Sequence, residues 1–295
     1  MECRGRRRQW QGILRGFTCS VRYSGVFVTL ELLGVIALFG GFAVTALAET
    51  VWPRYTWSPR ERSLHLLRNF ALWLLFVVVV SAFNSWILAP LVANARMFRL
   101  GLLNLWQCPY WLAFLIGFLT ADFSDYVLHR ASHQWRPLWL LHAVHHSDPK
   151  LDVSTSLRQH PLFYVASLTL RVLLTFAIGA PIESLIVRDL CGVVTSHLHH
   201  AAIGWTSLAV TRWQRWVGWL IVTPAAHWMH HDPEPALTNS NYGQILSLWD
   251  HLFGTFRAPV LPVHDSGLDA LRTPEWHTVR GMLMTPWRAR RYERF

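Results

Sequence analysis

Histidine is concentrated in three short clusters of this 295-residue chain. The sequence reads HRASH at 129–133, LHAVHH at 141–146 and HWMHH at 227–231. Of the sixteen histidines, only His65 lies before residue 129. Residues three and four positions apart share one face of a helix, so we expect each cluster to direct its imidazoles toward one point. Imidazole is the commonest metal ligand among side chains, and the clusters therefore indicate a metal site.

The number of these side chains narrows the kind of site. The clustered histidines are His129, His133, His142, His145, His146, His227, His230 and His231. One ion takes about four to six ligands, so eight imidazoles indicate two ions close together. The HLHH segment at 197–200 could add His200 and His197 from a fourth helix, and His160 in RQHP is a further candidate. His199 points about 100° away from His200 on an ideal helix and is the weaker candidate.

Other metal chemistries lack the residues that they need. A zinc protease of the HExxH type requires a glutamate beside the first histidine, and HRASH has Arg130 there. Carboxylate-bridged diiron bundles use Glu-x-x-His motifs, which the chain does not contain. The four cysteines form no CxxC pair, which argues against an iron–sulfur cluster and a disulfide scaffold. Two ions that are bound only by imidazoles and lie on apolar helices indicate activation of O₂ for the oxidation of a lipid. We expect the two ions to be iron.

The rest of the chain is apolar enough to lie in a membrane. It is 52% hydrophobic and 15% charged, against about 25% charged in an average soluble domain. Residues 26–48, 70–93 and 102–121 are each long enough to cross a bilayer, for which about 20 residues suffice. Residues 162–200 are apolar but interrupted by charges and Pro181, which predicts a hairpin of two shorter helices. We therefore predict an all-α integral membrane protein, a transmembrane helix bundle with a membrane-surface cap of helices carrying a histidine-rich dimetal site.

The uneven distribution of histidine predicts four regions along the chain. Residues 1–22 form a basic N-terminal tail, and residues 23–121 form the transmembrane anchor. Residues 122–257 form the catalytic region, which includes the membrane hairpin at about 162–200, and residues 258–295 form a polar, extended C-terminal tail. The net charge of +10 comes almost wholly from arginine. In a membrane protein this charge indicates lipid headgroups and cytoplasmic anchoring, not nucleic acid.

Further motifs surround the three clusters in a regular order. They are DxxDYxxHRxxH at 122–133, LHxxHHSD at 141–148, RQHP at 158–161, TPAAHWMHH at 223–231 and NSNYGQILSLWDHLFGTF at 239–256. Together they resemble the fatty acid hydroxylase/sterol desaturase superfamily of membrane diiron oxygenases, over close to half the chain. The resemblance implies an O₂-dependent enzyme that hydroxylates or desaturates a lipid with electrons from a separate reductase.

The resemblance also assigns roles to particular residues. It makes the eight clustered histidines, together with His200, the metal ligands. It implies that acidic and amide side chains orient the imidazoles through hydrogen bonds. These side chains are Asp122, Asp125, Asp148, Asn241 and Asp250.

Three functional hypotheses remain open from the sequence. The first is a monooxygenase that acts on a sterol, fatty acyl chain, carotenoid or ether lipid and receives electrons from a ferredoxin or cytochrome b5-type reductase system. The second is a desaturase with the same site, and the third is a metal transporter or receptor without turnover. A transporter should carry ionisable residues along its spans, yet residues 70–93 and 102–121 contain none.

Arginine usage also bears on where the protein resides. It is typical of a GC-rich bacterial genome, which predicts a multi-pass protein of the bacterial cytoplasmic membrane with its metal site facing the cytoplasm. Because imidazole sites bind Zn²⁺ more tightly than Fe²⁺, recombinant protein could hold zinc in place of iron.

Overall fold

A computed structural model describes residues 32–91, 101–106, 108–203, 216–259 and 266–291. These residues form an all-helical fold, as predicted, and the only β-pairing among them is two isolated bridges. In chain order the helices are α1 (Leu32–Val51), α2 (Pro59–Leu91), α3 (Tyr110–Gln134), α4 (Arg136–His146), α5 (Pro161–Ile178), α6 (Ile182–His200), α7 (Pro224–His230), α8 (Pro235–Thr238), α9 (Leu248–Leu252) and α10 (Val279–Arg288). Short 3-10 turns lie at Leu102–Leu105, Val153–Leu157, Asp269–Leu271, Pro274–His277 and Ala289–Arg291. The predicted basic tail at 1–22 lies outside the described residues.

Four helices, α1, α2, α3 and α5, are long and apolar enough to cross a membrane. The side chains on α1 and α2 leave much of their apolar surface uncovered, with Val44 at 69% and Val78 at 65% exposure. Large exposed apolar surfaces are rare on soluble monomers and fit a lipid environment. The helices therefore suggest a membrane protein.

Helix α3 differs from the span predicted at 102–121. It begins at Tyr110, directly after Pro109, and continues to Gln134 without interruption. Its second half is polar but faces the protein, because Asp122 and Ser124 are fully buried. The boundary predicted at residue 122 thus falls inside one helix, which both crosses the apolar layer and carries His129 and His133.

Helices α5 and α6 form the turn-linked pair expected over 162–200. Gly179 ends α5 in the left-handed conformation, with φ of +82°, and Pro181 precedes α6. Glycine adopts this conformation without the steric cost that other residues incur. A buried cluster of apolar side chains joins the pair to α2 and α3, and it comprises Leu88, Ala121, Val172 and Leu185.

The prediction of an extended C-terminal tail is wrong over its described part. Helix α10 packs in the interior, where the fully buried Met282 contacts Leu72 of α2 and Val144 of α4. A second apolar cluster joins α4 to the tail, through Leu140, Ala143, Leu268, Leu271, Trp276 and Ala289. In the sequence, the apolar residues of this segment are scattered among many polar ones, and this pattern alone predicts a polar tail. Helical spacing places these apolar residues on one face, so the segment forms an amphipathic helix. The tail therefore supports α4, the helix that carries three of the clustered histidines.

Candidate metal centre

Nine histidines converge in two neighbouring groups. Group one is His129, His133, His142, His146 and His230, and group two is His145, His200, His227 and His231. Within each group the ring nitrogens that face one another lie within 4.8 Å. The rings of His146 and His231 stack at 4.4 Å between centroids, so the two groups are adjacent. Helices α3, α4, α6 and α7 supply eight of the rings, and the ninth, His231, directly follows α7.

The groups do not follow the sequence clusters. We expected each cluster to converge on one point, and the structure shows that two of the three clusters divide. His142 and His146 enter group one while His145 enters group two, and His230 separates in the same way from His227 and His231. Residues four apart differ by only about 40° around a helix, whereas adjacent residues differ by about 100°. Each i, i+4 pair therefore stays together, and the histidine between its members turns to the other group.

Backbone carbonyl oxygens fix the orientation of four of these rings. The Nδ1 atoms of four ligand candidates lie within hydrogen-bond distance of a carbonyl oxygen: His129 with Tyr242 at 2.8 Å, His145 with Arg158 at 3.3 Å, His200 with Ser196 at 2.7 Å and His230 with Ser240 at 2.8 Å. Because a carbonyl oxygen can only accept, each Nδ1 carries the proton and donates it. The Nε2 atom of each ring then presents an unshared electron pair to the centre of its group.

These electron pairs face one another at close range. The Nε2 atoms of His129 and His230 lie 2.9 Å apart in group one, and those of His145 and His200 lie 3.1 Å apart in group two. Neither nitrogen of either pair has a proton to donate, so these are not hydrogen bonds. Metal–imidazole bonds of about 2.1 Å give ligand-to-ligand separations of about 3 Å around one ion. The donor sets therefore fit a metal ion in each group.

Burial keeps the remaining imidazoles in the protonation state that metal binding needs. The pKa values of His146, His227 and His231 lie well below the usual value for histidine. Removal from solvent is the main cause, and the neighbouring imidazole rings lower these pKa values further. Metal ligation requires the neutral ring. His133 Nε2 is also buried without a hydrogen-bond partner among the described residues, as an atom reserved for a ligand would be.

The predicted orienting role of the acidic residues is not what the described contacts show. Asp122 accepts from the backbone N–H of Leu246 and from the indole of Trp249, and Asp125 binds Ser167 and Arg171. None of these partners is an imidazole of either group.

Asp148, Asp250 and Asn241 also act on backbone and hydroxyl groups. Asp148 accepts from Thr155 and lies 3.4 Å from His65, outside both groups. Asp250 accepts the backbone N–H groups of residues 242 and 243, both at 2.8 Å. Asn241, with φ of +53°, bonds the backbone of residues 226 and 257. Asp250 and Asn241 thus shape the loop whose Tyr242 carbonyl oxygen accepts from His129.

Three further candidate histidines lie outside both groups. His160 caps α5 through Nδ1 and contacts the Leu283 carbonyl through Nε2. Both ring nitrogens of His197 are also engaged, with Ser156 and with the Leu38 carbonyl. His199 stacks on the ring of His227 at 4.9 Å. These three rings lie around the site but do not face its centre. For His199 this agrees with the prediction that it points about 100° away from His200 on the helix.

Sequence reasoning missed Arg158. This arginine is 1% exposed, and its side chain donates to the Val144 carbonyl and to Ser147 while its own carbonyl orients His145. It also contacts His277 Nδ1 at 3.0 Å. The RQHP motif contains Arg158, but only the fold shows that its carbonyl oxygen orients His145 and that its guanidinium holds the end of α4.

A cavity of about 360 Å³ opens beside both groups. Its walls come from α1, α2, α3, α5 and α6, with apolar side chains such as Leu38, Trp73, Phe76 and Phe163. His129 and His142 of group one, and three histidines of group two, border the same space. Ligand cavities commonly measure about 300–1,000 Å³. An apolar chain in this cavity would lie against the imidazole groups.

Fold and site together define a helical membrane protein with two adjacent all-imidazole groups beside an apolar cavity. Residues 114–255 match the family model described as fatty acid hydroxylase, and this region includes every histidine of both groups. This match covers just under half of the 295-residue chain, and it confirms the resemblance to the fatty acid hydroxylase superfamily seen in the sequence.

Curated proteins similar to this chain carry lipid-oxidation names. Ornithine lipid hydroxylase OlsE of Rhizobium tropici is 32% identical over 156 residues, which are 53% of this chain and 45% of that protein. The alkylglycerol monooxygenase of Caenorhabditis elegans is 31% identical over 52% of this chain and 28% of its own length. The alkylglycerol monooxygenase of Homo sapiens is 29% identical over 56% of this chain and 34% of its own length. The chain thus spans less than half the length of these relatives. No solved structure matches it.

Proposed function

We propose that this protein is an O₂-dependent oxidoreductase that hydroxylates a lipid at a pair of iron ions. The observation that carries the proposal is the opposition of unprotonated Nε2 atoms in both groups, at 2.9 and 3.1 Å, beside an apolar cavity. Such opposition is repulsive unless a cation lies between the nitrogens. The family match and the names of the relatives support oxidation of a lipid as the chemistry.

In this proposal the ligand set is the nine grouped histidines. Group one would hold one ion through five imidazoles and group two the other through four. Iron bound there would supply the reductive activation of O₂ that insertion into an unactivated C–H bond requires. Imidazole suits iron as well as zinc, so zinc in purified protein would not contradict the proposal.

The surrounding side chains would place the substrate and exclude water. Phe163 stacks on the ring of His142 at 4.7 Å between centroids, at the point where the cavity meets group one. Leu128 and Leu157 line the cavity as well. Burial of apolar surface would hold an alkyl chain there, and the carbon nearest the histidines would be the one oxidised.

Electrons would come from a separate one-electron carrier, a ferredoxin or a cytochrome b5-type system. The proposed side of the membrane is the cytoplasm, and the basic residues support it. Arg54 lies 4.3 Å over the ring of Trp228, the residue next to His227, and Arg62 follows on α2. This contact puts the metal centre at the same end of the bundle as these arginines. Because arginine clusters mark the cytoplasmic ends of spans, that end would face the cytoplasm. The bacterial relative supports a bacterial membrane.

The direct test is incorporation of ¹⁸O from ¹⁸O₂ into lipid by the iron-loaded full chain in native-lipid nanodiscs, with a ferredoxin and its reductase as electron supply. We expect one ¹⁸O atom per product and none in the His227→Ala variant, with His251→Ala as a histidine control outside the groups. A product with a new C=C bond and no ¹⁸O would identify a desaturase instead. Bound iron with no lipid oxidation across total membrane lipids would favour a binding protein.

A further inference from the structure

The cavity beside the metal centre holds charged side chains that oxidation of an alkyl chain does not require. Asp125, Arg171, Arg188 and Asp189 line it together with the apolar residues and the histidines. Arg171 and Arg188 are each only 3% exposed. Ionisable residues at membrane depth are costly, and they commonly mark the path of a substrate or ion.

The positive charges within this cluster are already compensated by carboxylates. Arg171 Nη1 donates to both oxygens of Asp125, at 3.2 and 3.0 Å. Arg188 pairs with Asp125 as well, and it reaches Asp122 at 3.4 Å and Asp189 at 3.3 Å. Two guanidinium groups thus face three carboxylates. The cluster has no excess positive charge with which to attract an anion.

Hydrogen-bond acceptors, by contrast, are lacking. Nε and Nη2 of Arg171 and Nε of Arg188 are buried without a hydrogen-bond acceptor among the described residues, although the Tyr164 ring lies 5.1 Å from Arg171 Cζ. The Asp125 oxygens are fully engaged, since Ser167 also donates to one of them. Buried donors without partners are unfavourable, so a ligand that brings an acceptor and no charge is the best complement.

We propose that Arg171 and Arg188 bind an uncharged oxygen of the lipid substrate, such as a hydroxyl or a carbonyl oxygen, and so select the carbon that is oxidised. The inference rests on the proposed function and names its substrate class: a lipid with a neutral oxygen close to the reacting carbon.

The position of the arginines predicts where the lipid is oxidised. Asp125, which both arginines contact, lies one helical turn before His129 on α3, about 6 Å along the axis. An oxygen bound at the arginines therefore leaves only a few bonds between itself and the carbon at the histidines. Oxidation occurs near the polar end of the lipid, and the remaining alkyl chain extends along Trp73 and Phe76.

Binding can be measured apart from catalysis. The full chain is loaded with Zn²⁺, which does not consume the ligand, and equilibrated in detergent with radiolabelled 1-hexadecanol, hexadecane or hexadecanoate at equal mole fraction. We expect 1-hexadecanol to bind at least tenfold more tightly than hexadecane, and hexadecanoate to bind less tightly than 1-hexadecanol. Because neither iron nor O₂ takes part, this result stands or falls separately from the oxygenase activity.

Arginine variants assign the preference to the cluster. Arg171→Met should reduce the preference for 1-hexadecanol over hexadecane to less than threefold, whereas Arg62→Met, an arginine outside the cavity, should retain it. If Arg171→Met fails to fold, judged by zinc content, Arg171→Lys keeps a positive charge opposite Asp125 but removes Nε and Nη2, and the same loss is expected. Equal affinities in the parent, tighter binding of hexadecanoate, or an unchanged preference in a folded variant would overturn the proposal.

Discussion

His129 and His230 are 101 positions apart in the chain, and their Nε2 atoms lie 2.9 Å apart with no proton between them. The Tyr242 and Ser240 carbonyls fix both rings in this orientation, and both carbonyls belong to the loop after α8. The folded chain therefore holds electron pairs in opposition before any ion binds. Ions that relieve this repulsion should stabilise the fold as well as form the site.

Asp250 controls the loop that orients His129. Asp250→Asn replaces one acceptor oxygen by an amide donor that faces a backbone N–H, at residue 242 or 243. An unsatisfied buried donor of this kind costs about 1–3 kcal/mol of unfolding free energy. Because the Tyr242 carbonyl shifts with the loop, we expect metal affinity at group one to fall by about 10–100-fold, measured by competition with a chelator.

Asp269→Asn is the matched control for Asp250→Asn. Its side chain is 83% exposed and pairs only at the surface with Arg272, so stability and metal affinity should stay at the parent values. Equal metal affinities of the Asp250→Asn variant and the parent would show that the loop does not hold His129 in place.

The C-terminal segment stabilises the helix beneath the metal centre. Met282 is fully buried against Leu72 and Val144. Met282→Ala should lower the free energy of unfolding by about 2–5 kcal/mol, since the cavity it leaves adds to the lost burial. Met284, two positions on, is 40% exposed, and Met284→Ala should cost much less. Thermal unfolding of both variants in the same detergent measures the difference, and equal midpoints would contradict the packing.

His277 makes stability depend on pH. Burial, together with the adjacent Arg158 guanidinium, lowers the pKa of His277 to about 4. In the unfolded chain the same ring has a pKa of about 6.5. Between these values the unfolded chain binds a proton that the folded chain does not, so the free energy of unfolding falls as the pH is lowered, by at most about 1.4 kcal/mol per pH unit.

The variant His277→Gln isolates this contribution. Glutamine can still accept from Arg158 but does not titrate. Chemical denaturation from pH 7 to pH 4 should therefore give a shallower loss of stability in the variant than in the parent. Identical slopes would mean that His277 is not held neutral.

Sequence alone could predict the helical class and propose all nine grouped histidines, because both depend on local spacing. The same spacing could not predict how the histidines divide. Which way His145 turns relative to His142 depends on how α4 is rotated against α3 and α6, and that rotation is set by packing. The spacing of HLHH made His200 an additional candidate and the family resemblance supported it, but its place in group two is visible only in the fold.

Long-range features escaped prediction for a related reason. The carbonyl oxygens that orient His129, His145 and His230 belong to segments distant in sequence or to residues of any type, so no side-chain pattern marks them. Carboxylates were the expected partners, yet the acidic residues hold loops and arginines instead. Arg171 and Arg188 did carry a signal, namely a charge within an apolar segment, but it first indicated only an interrupted span.

Iron content per chain tests the central claim most directly. After anaerobic reconstitution of the full chain with Fe(II), we predict about two ions in the parent protein. His129→Ala/His142→Ala, in group one, and His200→Ala/His227→Ala, in group two, should each retain about one. One ion or none in the parent, or a content unchanged by either pair of substitutions, would contradict a dinuclear centre built from the two imidazole groups.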